Sequence, residues 1–405
     1  MSRVQFFAQP TENFMLKERL LTAFICAVLS MTSLHTLGQE AIPTVPQTAA
    51  KSWILVDADT GFVLAEHNAD ELLPPASLAK MMTTYIVSKQ IDKGALGEFD
   101  NVVISDNAWE KGGAKTDGST MFLNPRSQVP VIDLMRGVII QSGNDAAIAL
   151  AEHVSGSEDA FSELMSETAV QLGMDSTQYY NSTGLPEEGM VSTARDLSVL
   201  AREVIQGNSA HYAIYSEKYF QHNNINQPNR NRLLWRDSSV DGLKTGYTQE
   251  AGYCLVTTAK RRDMRLISVL MGAPSDETRA RESQKLLSYG FRHFDTKQIY
   301  SANQIIKENA KVWYGEDDFL NLSVSENIVL TFPRRSEKLL TAKTIVDEQI
   351  EAPILTGQEL GRLQVSLLDK ILVDVPLVAE KDIIQAGIFS RFYDWIILFF
   401  TRLIS

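Results

Sequence analysis

The sequence predicts an α+β protein: an antiparallel sheet joined to a helical cluster, then a small all-β domain and a C-terminal amphipathic helix. Three observations predict it. Alternating segments flank a block of helix-period segments between residues 77 and 206. After about residue 295 the chain turns to short alternating segments split by turn residues. The last eighteen residues carry aromatic and charged side chains on opposite sides of a helix.

In chain order, Lys17 and Arg19 precede an uncharged apolar stretch, residues 20–34, with small residues beyond it. That pattern reads as a secretory signal peptide over 1–38, cleaved near Gly38, with Met15 as an alternative start. The stretch is short for a membrane span, and a retained anchor helix is the competing reading. Cys26 leaves with the signal. Cys254 is then alone in "AGYCLVTTA" and reads as a buried, inert thiol.

Residues 51–68 read as strand, turn at Thr60-Gly61 and strand. Residues 77–89 read as helix and 101–105 as a short strand. Helical spacing runs through 129–140, 145–154, 157–173 and 194–206. Strands follow around Leu243, at 253–258 and at 264–271, then a helix at 277–289. "NLSVSENIVLTF", "LLTAKTIVD", "LGRLQVSLL" and "KILVDVPLVA" supply the β-domain. The expected division is 45–295, 296–385 and 386–405 after the leader.

The last segment is a wheel with two sides. Ser390, Arg391, Asp394, Thr401, Arg402 and Ser405 gather within about a third of the circumference. Phe389, Phe392, Trp395, Ile396, Phe399, Phe400 and Leu403 fill the rest. Spanning a bilayer would bury charges at roughly 2.5–3.5 kcal/mol each. Lying in the interface sinks only the aromatic side, so the segment reads as a surface anchor. A helix docked on its own domain is the alternative.

The formal net charge of −12 argues against a nucleic-acid partner, which needs clustered Lys and Arg. The six histidines are scattered and there is no H-E-x-x-H, so no metal and no cofactor are expected. A Ser-His-Asp triad has no support.

The chemistry-bearing pattern begins at "ELLPPASLAKMMTTYIV", where Ser77 and Lys80 stand one turn apart. Alone this is a weak signal, since a capping serine beside a surface lysine gives the same letters. The helix after it, however, is apolar nearly all round, and a lysine buried there must be paired or neutral. A neutral lysine is a base. To act near pH 7 its pKa must fall roughly 3 units from about 10.4, a cost of about 4 kcal/mol that burial and a second cation can supply. "VDGLKTGYT" offers that cation in Lys244, with the Thr245 hydroxyl beside it for a carboxylate and Gly246 for close backbone approach. For a third piece, Ser105-Asp106-Asn107 reads as a helix cap. Ser142-Gly143-Asn144 lies between apolar helices, where a buried polar loop needs a purpose.

Together these pieces resemble the S-x-x-K, S-x-N and K-T-G set of penicillin-interacting serine enzymes. "PASLAKMMT", "LMRGVIIQSGNDAAIALAEHVSGSEDAF", "STARDLSVL", "NRNRLLW" and "MRLISVLMGA" extend the likeness to low-molecular-mass penicillin-binding proteins of the D-alanyl-D-alanine carboxypeptidase type, from about Lys51 to the end. The resemblance implies a penicillin-binding/β-lactamase-like transpeptidase fold. It implies acyl transfer on a peptidoglycan stem peptide ending in D-Ala-D-Ala, covalent capture by β-lactams, and a periplasmic location on the cytoplasmic membrane. Ser77 would be the nucleophile and Lys80 its proton acceptor. Ser142 and Lys244 would relay a proton to the leaving amine, and Asn144 would hold the substrate amide. The N–H groups of Ser77 and Tyr247 would form the oxyanion hole, worth about 2.7–4 kcal/mol per donor. Thr245 would bind the terminal carboxylate, helped by Arg230 and by Arg279, near which Arg281 also stands. Tyr247 departs from the histidine often found there. A β-lactamase is the nearest rival, but no E-x-x-L-N is present and Glu187 and Glu188 lie in a turn-like "LPEEGM". An endopeptidase is closer chemically. A non-catalytic wall-binding scaffold is the reading from another class.

Overall fold

The computed structural model describes residues 44–404. The leader assignment, with Lys17, Arg19, Cys26 and Gly38, and terminal Ser405 lie outside the described residues.

Five antiparallel strands form the central sheet: β1 (Ser52–Asp57), β2 (Val63–His67), β3 (Val240–Thr248), β4 (Gly252–Arg261) and β5 (Met264–Ala273), in the order β2-β1-β5-β4-β3. The turn between β1 and β2 uses Gly61 at φ +71°, where glycine carries no Cβ penalty. Both faces of the sheet are covered, so its strands read as nearly continuous apolar runs. Alternate residues divide between two cores. Ile54, Val56, Val256, Ile267 and Val269 join the one that also holds the large helical layer. Trp53, Leu55, Leu255, Leu266 and Leu270 join Leu286 and Leu287 of the helix behind the sheet.

The longer helices are α1 (Lys80–Asp92), α2 (Asn144–Ser155), α3 (Glu158–Gln171), α4 (Ala194–Gln206) and α5 (Asp276–His293). Their starts follow from side-chain caps: Ser157 Oγ accepts from Ala160 N, Thr193 Oγ1 from Asp196 N, and Ser275 Oγ from Thr278 N. Ser105 does cap the short helix Asp106–Gly112 by accepting from Ala108 N at 2.8 Å, as its S-D-N suggested.

Two segments differ from the expected helices. The stretch expected to be helical from Ser77 begins instead as a 3-10 turn, Ala76–Ala79, and becomes α-helix only at Lys80. Pro75 precedes this turn and Ala76 has φ +47°, so the entry is sharp and Ser77 caps nothing. Residues 129–140 form a strand end, a short helix Val131–Arg136 and a wide π turn, Gly137–Gln141, which closes on Ser142 in the left-handed region at φ 62°. The Ser142-Gly143-Asn144 loop needs that irregular ending to point inward.

The second domain is all-β. Strands β6 (Phe294–Tyr300) and β9 (Ile328–Pro333) pair with each other. The others, β7 (Ile305–Trp313), β8 (Phe319–Ser323), β10 (Leu340–Val346), β11 (Ile350–Glu351), β12 (Glu359–Leu367) and β13 (Lys370–Ala379), form a six-stranded sheet in the order β10-β12-β13-β8-β7-β11. Buried Asp57 at the end of β1 joins the domains: its Oδ2 accepts from Thr296 Oγ1 at 2.6 Å.

The last helix, α6 (Ile388–Ile404), docks on this β-domain by its polar edge. Asp394 is buried and its Oδ2 accepts from Tyr314 N at 2.7 Å, while Arg402 donates to Gln349 Oε1. The expectation that all charges of this face stay in water is corrected to that extent. The aromatic side stays outward, with Phe389 93 % exposed. Among the described residues no helix is long and apolar enough to cross a membrane.

Candidate active site

Three segments meet at one end of the sheet: the 3-10 turn that enters α1, the 142–144 loop that enters α2, and edge strand β3. Their side chains bound an open cleft of about 220 Å³. Ser77, Ser142, Asn144, Thr245, Gly246, Tyr247, Arg230 and Arg279, all singled out from the sequence, line it. Lys80 and Lys244 lie just beneath, with 0 % and 2 % of their surface exposed.

Lys80 reaches Ser77 because a 3-10 turn eclipses residues three apart. Its Nζ lies 3.3 Å from Ser77 Oγ and donates to Asn144 Oδ1 at 2.7 Å and to the Thr183 carbonyl at 2.6 Å. Burial, then the charge of Arg230, lowers its pKa to about 7. The second cation acting on Lys80 is thus Arg230. Lys244 Nζ donates to Ser142 Oγ at 2.8 Å and to its neighbour's carbonyl, Thr245 O, at 3.0 Å. Its own pKa is held well below the usual lysine value by burial, then by Lys80, Arg230 and Arg279. Both lysines are thus held below the usual lysine value, by burial first and then by the crowding of four cationic side chains, Lys80, Lys244, Arg230 and Arg279.

Arg230 Nε donates to the Gln141 carbonyl at 3.0 Å, fixing the wide turn before Ser142. Arg279 donates to the Gly246 carbonyl at 2.9 Å and so steadies β3 beside Thr245. Burial lowers the pKa of both guanidinium groups. Arg281 instead points away, 60 % exposed and paired with Glu282. At Gly246 an added Cβ would stand 3.2 Å from Ser77 N, so glycine lets β3 run against the serine turn. Tyr247 is exposed and its ring packs on Tyr253 with centroids 4.3 Å apart. Glu187 and Glu188 are exposed and do not line the cleft.

Sequence reasoning missed the turn at residues 181–184. Asn181 Oδ1 accepts from Thr183 N, Thr183 Oγ1 and Gly184 N, which closes the turn. Thr83 Oγ1 on α1 donates to the Ser182 carbonyl, and Lys80 to that of Thr183. The signal was present in "NSTG", a cluster of turn formers led by an asparagine. Asp145 was also missed. It is fully buried and accepts from Thr120 Oγ1, Met121 N and Leu123 N, which holds the neighbouring cleft wall on α2. A serine, histidine and glutamate do come together elsewhere: Ser88 Oγ is 2.6 Å from His211 Nδ1, whose Nε2 is 3.1 Å from Glu98. They lie two turns along α1 from Lys80 and do not line this cleft. Among the described residues no cluster of His, Cys, Asp and Glu could hold a metal ion. Cys254 is buried, and burial pushes its thiol up to about 11.

Residues 39–275 match the D-alanyl-D-alanine carboxypeptidase family, and residues 294–385 match the C-terminal domain of penicillin-binding protein 5. The chain is 43% identical to the D-alanyl-D-alanine carboxypeptidase DacC of Escherichia coli, over 93% of this chain and 94% of that one. It is 40% identical to DacA of the same organism over 98% of both. Crystal structures of penicillin binding protein 5 from Haemophilus influenzae superpose with a TM-score of 0.80 at 39% identity, covering 84% of this chain and 99% of the other.

Proposed function

The chain belongs to the D-alanyl-D-alanine carboxypeptidase family of serine hydrolases, and from that premise we propose how its own residues divide the reaction. The substrate is a peptidoglycan stem peptide ending in D-Ala-D-Ala. Its terminal carboxylate binds Thr245 between Arg230 and Arg279. Ser77 Oγ attacks the penultimate D-Ala carbonyl as Lys80 Nζ takes its proton. The oxyanion is held by the N–H groups of Ser77 and Tyr247. Ser142, bonded to Lys244, passes a proton to the amine of the departing D-Ala. Water then hydrolyses the ester. β-Lactams enter the same path by acylating Ser77. Slow release follows because, among the described residues lining the cleft, no glutamate stands beside Ser77 to hold a water.

One observation carries this reading: fully buried Lys80 has its Nζ 3.3 Å from the Oγ of Ser77, which lines the cleft. Incubation with a pentapeptide should release free D-alanine, and Ser77→Ala should stop both that release and labelling by fluorescent penicillin. Faster cleavage of a crosslinked dimer would favour an endopeptidase. Rapid loss of the penicillin label would favour a lactamase, and no label at all a scaffold.

We further propose export through the N-terminal leader, and residence on the periplasmic face of the cytoplasmic membrane by way of α6. The outward aromatic side of that helix supports the second point. Flotation with anionic vesicles tests it.

A further inference from the structure

The cleft is cationic at one end and carries a single carboxylate at the other. Arg230 and Arg279 line the end beside Thr245; Asp117 lines the wall before Ser119. Asp117 is exposed and makes no hydrogen bond or ion pair among the described residues. The neighbouring cation is turned away, because Lys115 Nζ sits over the Trp109 ring at 4.4 Å. The wall itself is built firmly. Asn144 N donates to the Ser119 carbonyl at 2.8 Å, and buried Asp145 ties Thr120 and Met121 to α2. Gly118 lies so near the proposed amide-binding group that an added Cβ would stand 2.5 Å from Asn144 Nδ2. Leu185, 39 % exposed, lines the same cleft from the turn behind Ser77.

These positions give the bound peptide a direction. With its carboxylate at Thr245 and its scissile carbonyl at Ser77, the amide before the penultimate D-Ala falls at Asn144 Nδ2. One residue of extended chain, about 3.3–3.6 Å, carries the preceding amino acid past Gly118 towards Asp117. We propose that Asp117 is a specificity-determining residue that binds the free ammonium of a diamino acid at that preceding stem position, with Leu185 against its aliphatic chain. This rests on the carboxypeptidase reading and names its substrate more closely. A carboxylate left unpaired at the rim of a cleft whose other charged lining residues are Arg230 and Arg279 has this use: it favours peptides whose side chain there is cationic over those where it is acidic or neutralised.

The test compares two pentapeptides ending in D-Ala-D-Ala, one with L-lysine at the third position and one with Nε-acetyl-lysine, measured as kcat/KM for D-alanine release. Active sites are counted by penicillin titration, so that misfolded protein does not enter the rate. The full chain should favour the free amine about five-fold at low salt, the upper range for an exposed ion pair, and the preference should shrink as salt is added. Asp117→Asn should bring the ratio to about one, and Asp117→Lys should invert it. A ratio of one in the unaltered protein, or a ratio unchanged in Asp117→Asn, overturns the assignment of Asp117 while leaving the carboxypeptidase reading intact. Release of D-alanine from neither peptide overturns both.

Discussion

Lys80 Nζ donates to Asn144 Oδ1 across 2.7 Å, a closer contact than its 3.3 Å approach to Ser77 Oγ. A lysine has only donors, so this bond fixes which way the Asn144 amide faces. Its oxygen is turned inward to the base, and its NH₂ is left for the cleft. One residue thereby orients the base and presents a donor to substrate.

That contact predicts a pH shift. Acylation of Ser77 requires neutral Lys80, so the acylation rate should rise with pH through about 7 and level off above it. Asn144→Asp would set a carboxylate against the amine and favour its charged form, typically by 1–3 pKa units. The rising limb should move up by that amount. The rate at pH 7 should fall about five-fold or more and recover as pH rises. Stopped-flow acylation by penicillin from pH 5 to 10 measures it; a limb that stays near 7 in the variant would mean that Lys80 is not the titrating group.

Gly184 sits at φ +78°, and an added Cβ would lie 1.8 Å from the Ala76 carbonyl oxygen and 3.0 Å from Ser77 N. Gly184→Ala therefore combines a disfavoured backbone with a clash against the turn that carries the nucleophile. The variant should lose more than about 1 kcal/mol of stability. Its penicillin acylation should slow more than its melting temperature alone accounts for, because the Ser77 turn must move. Acylation measured well below the melting temperature separates the two effects.

A polar cluster contributes to the joint between the domains, beside the packing of Phe62 on Phe294. Asp57 accepts from Thr296 Oγ1, Thr60 N and Thr60 Oγ1, and Thr331 Oγ1 lies 2.7 Å from Thr60 Oγ1. Asp57→Ala removes the acceptor from several donors at once, the buried Thr296 hydroxyl among them, so a loss of about 2–4 kcal/mol is expected. Thr296→Val, which removes one bond of the set, should cost about 1 kcal/mol. Denaturant melts of the two variants check the order; equal losses would show that Asp57 acts through Thr296 alone.

What the sequence made legible was whatever is written in local spacing. Helix Ala194–Gln206 has the predicted bounds, and Ser105 caps as its neighbours indicated. The three motif segments converge on one cleft because each carries a residue type with few other uses at a buried position. Less legible was anything set by a distant partner. The wide turn before Ser142 reads as continuous helix in a 3.6-residue pattern, since its apolar residues are buried either way. The Lys80 contact to Thr183 is a backbone acceptor supplied from 103 residues away; "NSTG" marks a turn there but not which helix it faces. The lowered pKa of Lys244 comes from its burial and then from Lys80, Arg230 and Arg279, which only the assembled fold brings near it.

The same limit applies to α6, whose wheel shows two sides but not which one meets the protein. Docking is by Asp394, Leu398 and Arg402, which leaves Phe389, Phe392, Trp395 and Phe399 outward, with Phe392 and Trp395 stacked at 6.0 Å and Trp395 and Phe399 at 5.7 Å. Such an exposed ladder suits the interfacial helix proposed above. Full burial of a large apolar side chain contributes about 1.5–3 kcal/mol. These side chains are about half exposed, so replacing Phe392, Trp395 and Phe399 together by serine should weaken vesicle binding by about 2.5–5 kcal/mol, on the order of a hundred-fold or more. Asp394→Ala makes the contrast. It frees the helix from Tyr314 N without touching the aromatic side, so vesicle binding should persist while protease sensitivity near residue 387 rises. Undiminished flotation of the triple-serine protein would mean that the ladder is not the membrane contact.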